Sequence, residues 1–162
     1  MNTRREARLK SIQTLYAIEM SGNKVDDVLS DPIWAKLIFT EGKMKNFYEK
    51  LVKKTVETKE ELDRLIKSRS KNWDFSRITI LDKLILQMAL CEFLHFEDIP
   101  PKVSIDEAIE ISRIFSTSKS SKFINGLLDS ILLDLKKEGK IYKKGTGLKS
   151  GKTTKAKSKK KN

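Results

Sequence analysis

A chain of 162 residues that is 38 % apolar and 35 % charged has the size of a single domain and enough apolar content to fold it, which excludes a wholly disordered protein. It holds no apolar run near the roughly 20 residues that cross a membrane and no secretory leader at its start, and its lone cysteine, Cys91, excludes an intramolecular disulfide; a cytoplasmic protein is expected. The net charge of +12 is lopsided, because residues 136–162 carry twelve lysines and one acid, leaving +1 for residues 1–135.

The first helix is announced by Thr3-Arg4-Arg5-Glu6, a capping-box pattern, and runs through Leu9, Ile12, Leu15 and Tyr16 on one side until Ser21-Gly22-Asn23. A weaker, Pro-interrupted helical stretch spans about Val25 to Phe39. The apolar spacing from Phe47 to Ile66 then predicts two or three helices in all for this middle part, and Asn72-Trp73-Asp74 breaks the pattern. From Ile78 to Phe96 apolar residues point nearly all round the helical wheel, which places that helix at the centre of a bundle.

Pro100-Pro101 forces an extended connection, after which Ser104-Ile105-Asp106-Glu107 reads as a second capping box opening a helix. Polar Ser116 to Ser121 leads into a last helix through Phe123, Ile124, Leu127, Leu128, Ile131, Leu132 and Leu135. Gly126 falls inside its periodicity, and close helix packing is the expected reason for it. No strand alternation with hairpin turns is visible, so the fold expected is an all-α bundle. The domain is expected to end near residue 140, with 141–162 a disordered Lys-rich tail that cannot bury enough apolar surface to fold.

Little in the chain can do chemistry. His95 is the sole histidine and Cys91 reads as a small core residue, while before residue 136 the glycines are Gly22, Gly42 and Gly126, too few and too far apart for a phosphate-cradling loop. Asp106, Glu107 and Glu110 read as a solvated helix start, where negative charge suits the dipole. No catalytic residue, metal site or cofactor is expected.

Binding chemistry is more visible. The first helix opens with Arg4, Arg5 and Arg8 and the last with Lys119 and Lys122, although cations near a helix N-terminus are disfavoured by about 0.3 to 1 kcal/mol each. Free helix N–H groups with added Arg and Lys make a phosphate-binding site, and Phe123 beside Lys122 could stack an unpaired base, although for Phe123 taken alone core packing is the better explanation.

Three blocks carry a resemblance to a known family. Arg5-Glu6-Ala7-Arg8 with Gln13-Thr14-Leu15-Tyr16 resembles the start of the NusB family. The string Ile99-Pro100-Pro101-Lys102-Val103-Ser104-Ile105-Asp106-Glu107-Ala108-Ile109-Glu110 is similar to the segment between its fifth and sixth helices, and Lys122-Phe123-Ile124-Asn125-Gly126-Leu127-Leu128-Asp129 to its last helix. The blocks stand in family order and the resemblance covers about residues 4–135, with 23–75 the least distinctive part.

The resemblance implies about seven helices in two packed subdomains and no catalytic activity. It implies binding of boxA-type single-stranded RNA from ribosomal RNA leader transcripts, together with the ribosomal protein NusE, in the antitermination complex of RNA polymerase. Arg4, Arg5, Arg8, Gln13, Tyr16, Lys122 and Phe123 would form the RNA surface, joined by Lys119, which stands where the family often has an acid. Asp82 and its neighbours on the central helix would face the protein partner. Cys91 replaces a commonly aromatic residue, and the Lys-rich tail is an addition that would lend salt-sensitive, non-specific affinity.

Three other readings compete. NusB-like domains also precede the catalytic domain of certain ribosomal RNA cytosine methyltransferases, a domain this chain lacks. A helical protein-interaction scaffold would carry RNA affinity only in its basic tail, and a DNA-binding protein would need a duplex-reading helix, for which no helix-turn-helix pattern is present.

Overall fold

The structure, a computed structural model, describes residues 3–38, 43–69 and 75–149. Among these the chain forms eight α-helices and no strand: α1 Arg4–Ser21, α2 Val25–Ser30, α3 Pro32–Ile38, α4 Lys45–Glu57, α5 Lys59–Arg69, α6 Ile80–His95, α7 Pro101–Phe115 and α8 Ser118–Lys137. Short 3₁₀ turns occupy Phe75–Arg77 and Gly145–Leu148. Phe39, Asn72, Trp73 and Asp74, named in the sequence reading, lie outside the described residues.

The helix starts follow local chemistry. The hydroxyls of Thr3, Thr79 and Thr117 accept the backbone N–H of Glu6, Asp82 and Ser120 at 3.1 to 3.2 Å, each satisfying a free donor of the first turn. Helix α1 stops at Gly22, whose φ of 71° is left-handed and costs a residue without Cβ nothing. Helix α7 corrects the expectation of a cap at Ser104: it begins at Pro101, a residue whose fixed φ and missing N–H suit the first helical position. Ser104 lies inside the helix, buried, and donates instead to Glu92 at 2.7 Å.

As its all-round apolar pattern predicts, α6 is the hub. It packs against α1, α4, α5, α7 and α8, and Leu86, Met88, Leu90, Cys91 and Phe93 are all at most 1 % exposed. On one side stand α1, α2, α3 and α4, tied by a buried hydrogen bond of 2.6 Å between the Thr14 and Tyr48 hydroxyls and by the Trp34 indole N–H on Thr14 at 3.3 Å. On the other stand α7 and α8, packed on each other, with α5 against α6 and α8. The Gln87 amide donates to Asp63 at 2.7 Å and Arg69 pairs with Asp134, fixing α5 to both.

Two further expectations are corrected. Gly126 sits on the exposed side of α8, and a Cβ there would meet nothing within 4 Å, so close packing does not explain it. The folded chain also does not end near residue 140. Residues 141–149 turn back onto the end of α6, where the Lys143 ammonium donates to the carbonyls of Glu92 and Phe96 at 2.8 and 2.7 Å and so places a cation at the negative end of the helix. A composition count misses this because a few anchoring bonds replace a large apolar area.

Candidate nucleic-acid interface

Helices α1 and α8 bring the sequence-predicted residues to the surface through different contacts with α6. Arg8 pairs with Glu92 near the end of α6, and Arg4 pairs with Asp98 beyond it at 2.6 Å. A lower number on α1 meeting a higher one on α6 makes the two helices antiparallel. At the other end of α6, Asp82 accepts hydrogen bonds from Ser120 at 2.9 Å and Ser116 at 3.2 Å, holding the start of α8. Ten residues separate Asp82 from Glu92, about 15 Å of helix. The two cationic helix starts are therefore held apart along α6 rather than merged, and the level of Asp82 falls on the second half of α1.

An exposed stripe continues along α1 from its cationic start. At 100° per residue Arg5, Tyr16, Met20 and Gln13 lie within about 80° of one another, and all four are exposed, Tyr16 at 41 % and Met20 at 53 %. On α8, Lys119, Lys122 and Gly126 share a stripe of about 60° and are likewise exposed. Neither Lys119 nor Lys122 has an ion-pair partner among the described residues, so both charges stand free for an anion. Phe123 is half-buried and packs against the core.

The arginines divide sharply. Arg8, expected on the RNA surface, is 3 % exposed; its guanidinium donates to both oxygens of Glu92 at 2.7 and 3.0 Å. A planar fork bound to a buried carboxylate on both arms has no free face for phosphate, so Arg8 belongs to the core. Arg5 is exposed but engaged: it donates to both oxygens of Glu107 at 2.9 and 3.1 Å, which raises its pKa further. Glu107 is thus an arginine partner in the second turn of α7 and not a solvated helix start, and Glu110 pairs with Arg113.

Arg4 lies 4.7 Å from the centre of the Phe47 ring, which itself meets Phe96 edge-on at 5.7 Å. Partial burial of Asp98 works against its ionisation, but the Arg4 guanidinium outweighs this and holds the carboxyl below its usual range. The Arg4–Asp98 pair is exposed on both sides and of the kind that contributes little, so Arg4 can release its carboxylate to a phosphate, whereas Glu107 is only 12 % exposed and holds Arg5 by two bonds.

Asp82, expected to face a protein partner, is 6 % exposed and spent on the two serines. It is a structural clasp at the α6, α7 and α8 junction. The apolar residues two places from its two ends, Ile80 at 37 % and Ile114 at 60 %, are the exposed ones there. Sequence reasoning missed Glu92, Asp98, Glu107 and Phe47 as partners of the arginines because those contacts span between 39 and 102 positions, with no local signal.

The family comparison and two relatives agree with the sequence blocks. The NusB family matches residues 5–133. The transcription antitermination protein NusB of Salinibacter ruber is 41 % identical over 148 residues, 91 % of this chain and 92 % of the relative. That of Chloroherpeton thalassium is 39 % identical over 146 residues, 90 % of this chain and 69 % of the relative. Among solved structures, NusB of T. maritima superposes with a TM-score of 0.71 at 30 % identity, over 83 % of this chain and 94 % of that one. A crystal structure of the antitermination factors NusB and NusE in complex with dsRNA superposes with a TM-score of 0.69 at 21 % identity, over 81 % and 96 %, which speaks for the fold.

Proposed function

This chain belongs to the NusB family, and on that premise we propose that it is a transcription antitermination factor: it binds boxA-type single-stranded RNA together with NusE as part of the RNA polymerase antitermination complex. The observation that carries the reading is the pair of cationic helix starts, the first of them continued by the exposed α1 stripe. Lys119 and Lys122 supply unpaired charge, Arg4 supplies exchangeable charge with the exposed Arg5 beside it, and Gln13 and Tyr16 offer hydrogen-bonding and stacking groups along α1. The relatives named above are antitermination proteins, and the solved complex of NusB with NusE and dsRNA offers a precedent for NusE and for RNA, double-stranded in that structure.

The role is one of binding without catalysis. The His95 ring shares a 3.0 Å contact with Glu61, and burial pushes the Cys91 thiol up to about 12, out of reach of nucleophilic chemistry near neutral pH. No helix among the described residues is long and apolar enough to cross a membrane, which accords with a cytoplasmic site of action. A NusE surface beside the Asp82 clasp is supported by the exposure of Ile80 and Ile114 there.

The test is titration of fluorescent boxA-type RNA and a scrambled control, with and without NusE. A preference for the boxA-type RNA that NusE strengthens is the expected result. Equal binding of both RNAs, abolished by removing residues 150–162, would leave only a sticky tail and a protein-interaction scaffold.

A further inference from the structure

Residues 141–149 build a second basic surface that the family blocks do not contain. Beyond the Lys143 anchor, the Lys144 N–H donates to the Glu97 carbonyl at 2.9 Å and the Thr146 hydroxyl to the Asp98 carbonyl at 2.7 Å. Gly147 lies so close to the Glu97 carbonyl that a Cβ would overlap it, so the turn is pressed onto the body of the protein. Between this turn and the start of α7 lies a concavity of about 550 Å³, lined among others by Lys102, Lys136, Tyr142, Lys144, Leu148 and Lys149. Among the described residues no acidic side chain lines it.

Its charges are available. Among the described residues Lys136 and Lys149 have no ion-pair partner, and Lys102 and Lys144 only reach exposed carboxylates at 3.6 and 3.7 Å. Tyr142 is 67 % exposed and Leu148 73 %, although the backbone that carries them is bonded down. An aromatic held open among lysines is what successive unpaired bases stack on while their phosphates track the charge. The surface is also continuous with the α1 start, because Asp98 takes Arg4 on its carboxylate and Thr146 on its carbonyl.

We propose that this groove is a second, sequence-tolerant single-stranded RNA site, which holds the nucleotides flanking the boxA-type element as they leave the N-terminus of α1. The proposal rests on the RNA-binding reading above. It commits to RNA rather than an acidic protein because of the exposed tyrosine and the continuity with Arg4.

The experiment compares the full chain with its Lys136→Ala/Tyr142→Ala/Lys149→Ala variant, on boxA-type RNA alone and on the same RNA with an oligouridine flank at the 5′ or 3′ end. The flank at one end is expected to tighten wild-type binding about tenfold. The variant should bind the bare RNA as wild type does but lose that gain, and Tyr142→Phe, which keeps the ring, should retain it. No gain from either flank, or a gain that the triple variant keeps, overturns the proposal; the latter would assign the flank to residues 150–162. Failure of the underlying RNA reading shows differently, as equal binding of bare boxA-type and scrambled RNA. All three substituted side chains are exposed, so an unchanged melting temperature checks that the fold is intact.

Discussion

Arg8 and Glu92 form a two-armed ion pair in the core, 3 % and 1 % exposed, closed by the Ser104 hydroxyl on the same carboxylate. Removing one partner of such a pair leaves a buried charge and typically costs about 3 to 5 kcal/mol. Arg8→Met should therefore lower the melting temperature by roughly 6 to 20 °C, at about 2 to 4 °C per kcal/mol for a domain of this size. The double variant Arg8→Met/Glu92→Met should recover most of the loss. Calorimetry on the three proteins decides this, and a single variant that melts like wild type would return Arg8 to the RNA surface.

Arg5 should respond in the opposite way to its partner. With Glu107 as the competing anion, Glu107→Gln frees the guanidinium for phosphate and is expected to tighten RNA binding several-fold at low salt. Lys119→Ala/Lys122→Ala should instead flatten the slope of log affinity against log salt by about 1.4, since each phosphate contact to a single strand contributes about 0.7. Titrations across a salt series read both effects. An unchanged slope in the lysine pair would remove the start of α8 from the interface.

A partner-facing Asp82, which the resemblance implies, would tolerate Asp82→Lys without loss of the fold, whereas the buried Asp82 of the structure would not. The carboxylate accepts from Ser116 and Ser120 at a 6 % exposed position, so a lysine loses those bonds and buries an unpaired charge. A large fall in melting temperature is expected, with a milder one for Asp82→Asn, which keeps an acceptor oxygen. Wild-type stability in Asp82→Lys with loss of NusE binding would restore the partner role.

Gly126 offers a stabilising change. Its Cβ position is empty and exposed, so Gly126→Ala should add about 1 kcal/mol of helix propensity. Because it shares a stripe with Lys119 and Lys122, the same substitution should weaken RNA binding if RNA approaches the α8 backbone there. Denaturant titration and RNA titration of the one variant separate the two effects.

Cys91 should resist thiol reagents in the native protein at pH 8 and react fully in denaturant. It is fully buried, and its thiol is raised by that burial to about 12 from an ordinary 9. The sign follows: the neutral thiol's contribution is complete below pH 9 and is lost as pH rises from 9 towards 12. A Cys91→Ala protein should therefore lose less stability than wild type across that range.

The helices themselves were legible because their signals are local. Periodicity marked α1, the central α6 and α8, the Thr3 cap lies three residues from the Glu6 N–H that it accepts, and the blocks around Arg5, Pro100 and Lys122 carried the family. Sequence alone also placed the excess charge beyond residue 135. What it could not decide was the fate of each charge. Arg4, Arg5 and Arg8 stand within five positions, yet one is stacked in an exposed pair, one is held by both oxygens of a mostly buried carboxylate and one is core. Their partners, Asp98, Glu107 and Glu92, lie 84 to 102 positions away, and only the packing of α1 against α6 and α7 determines which carboxylate each arginine meets and how much water remains around it. The same holds for Asp82 and Lys143: their residue types were visible, but whether a charge faces solvent or closes a junction is a property of burial, which tertiary structure creates.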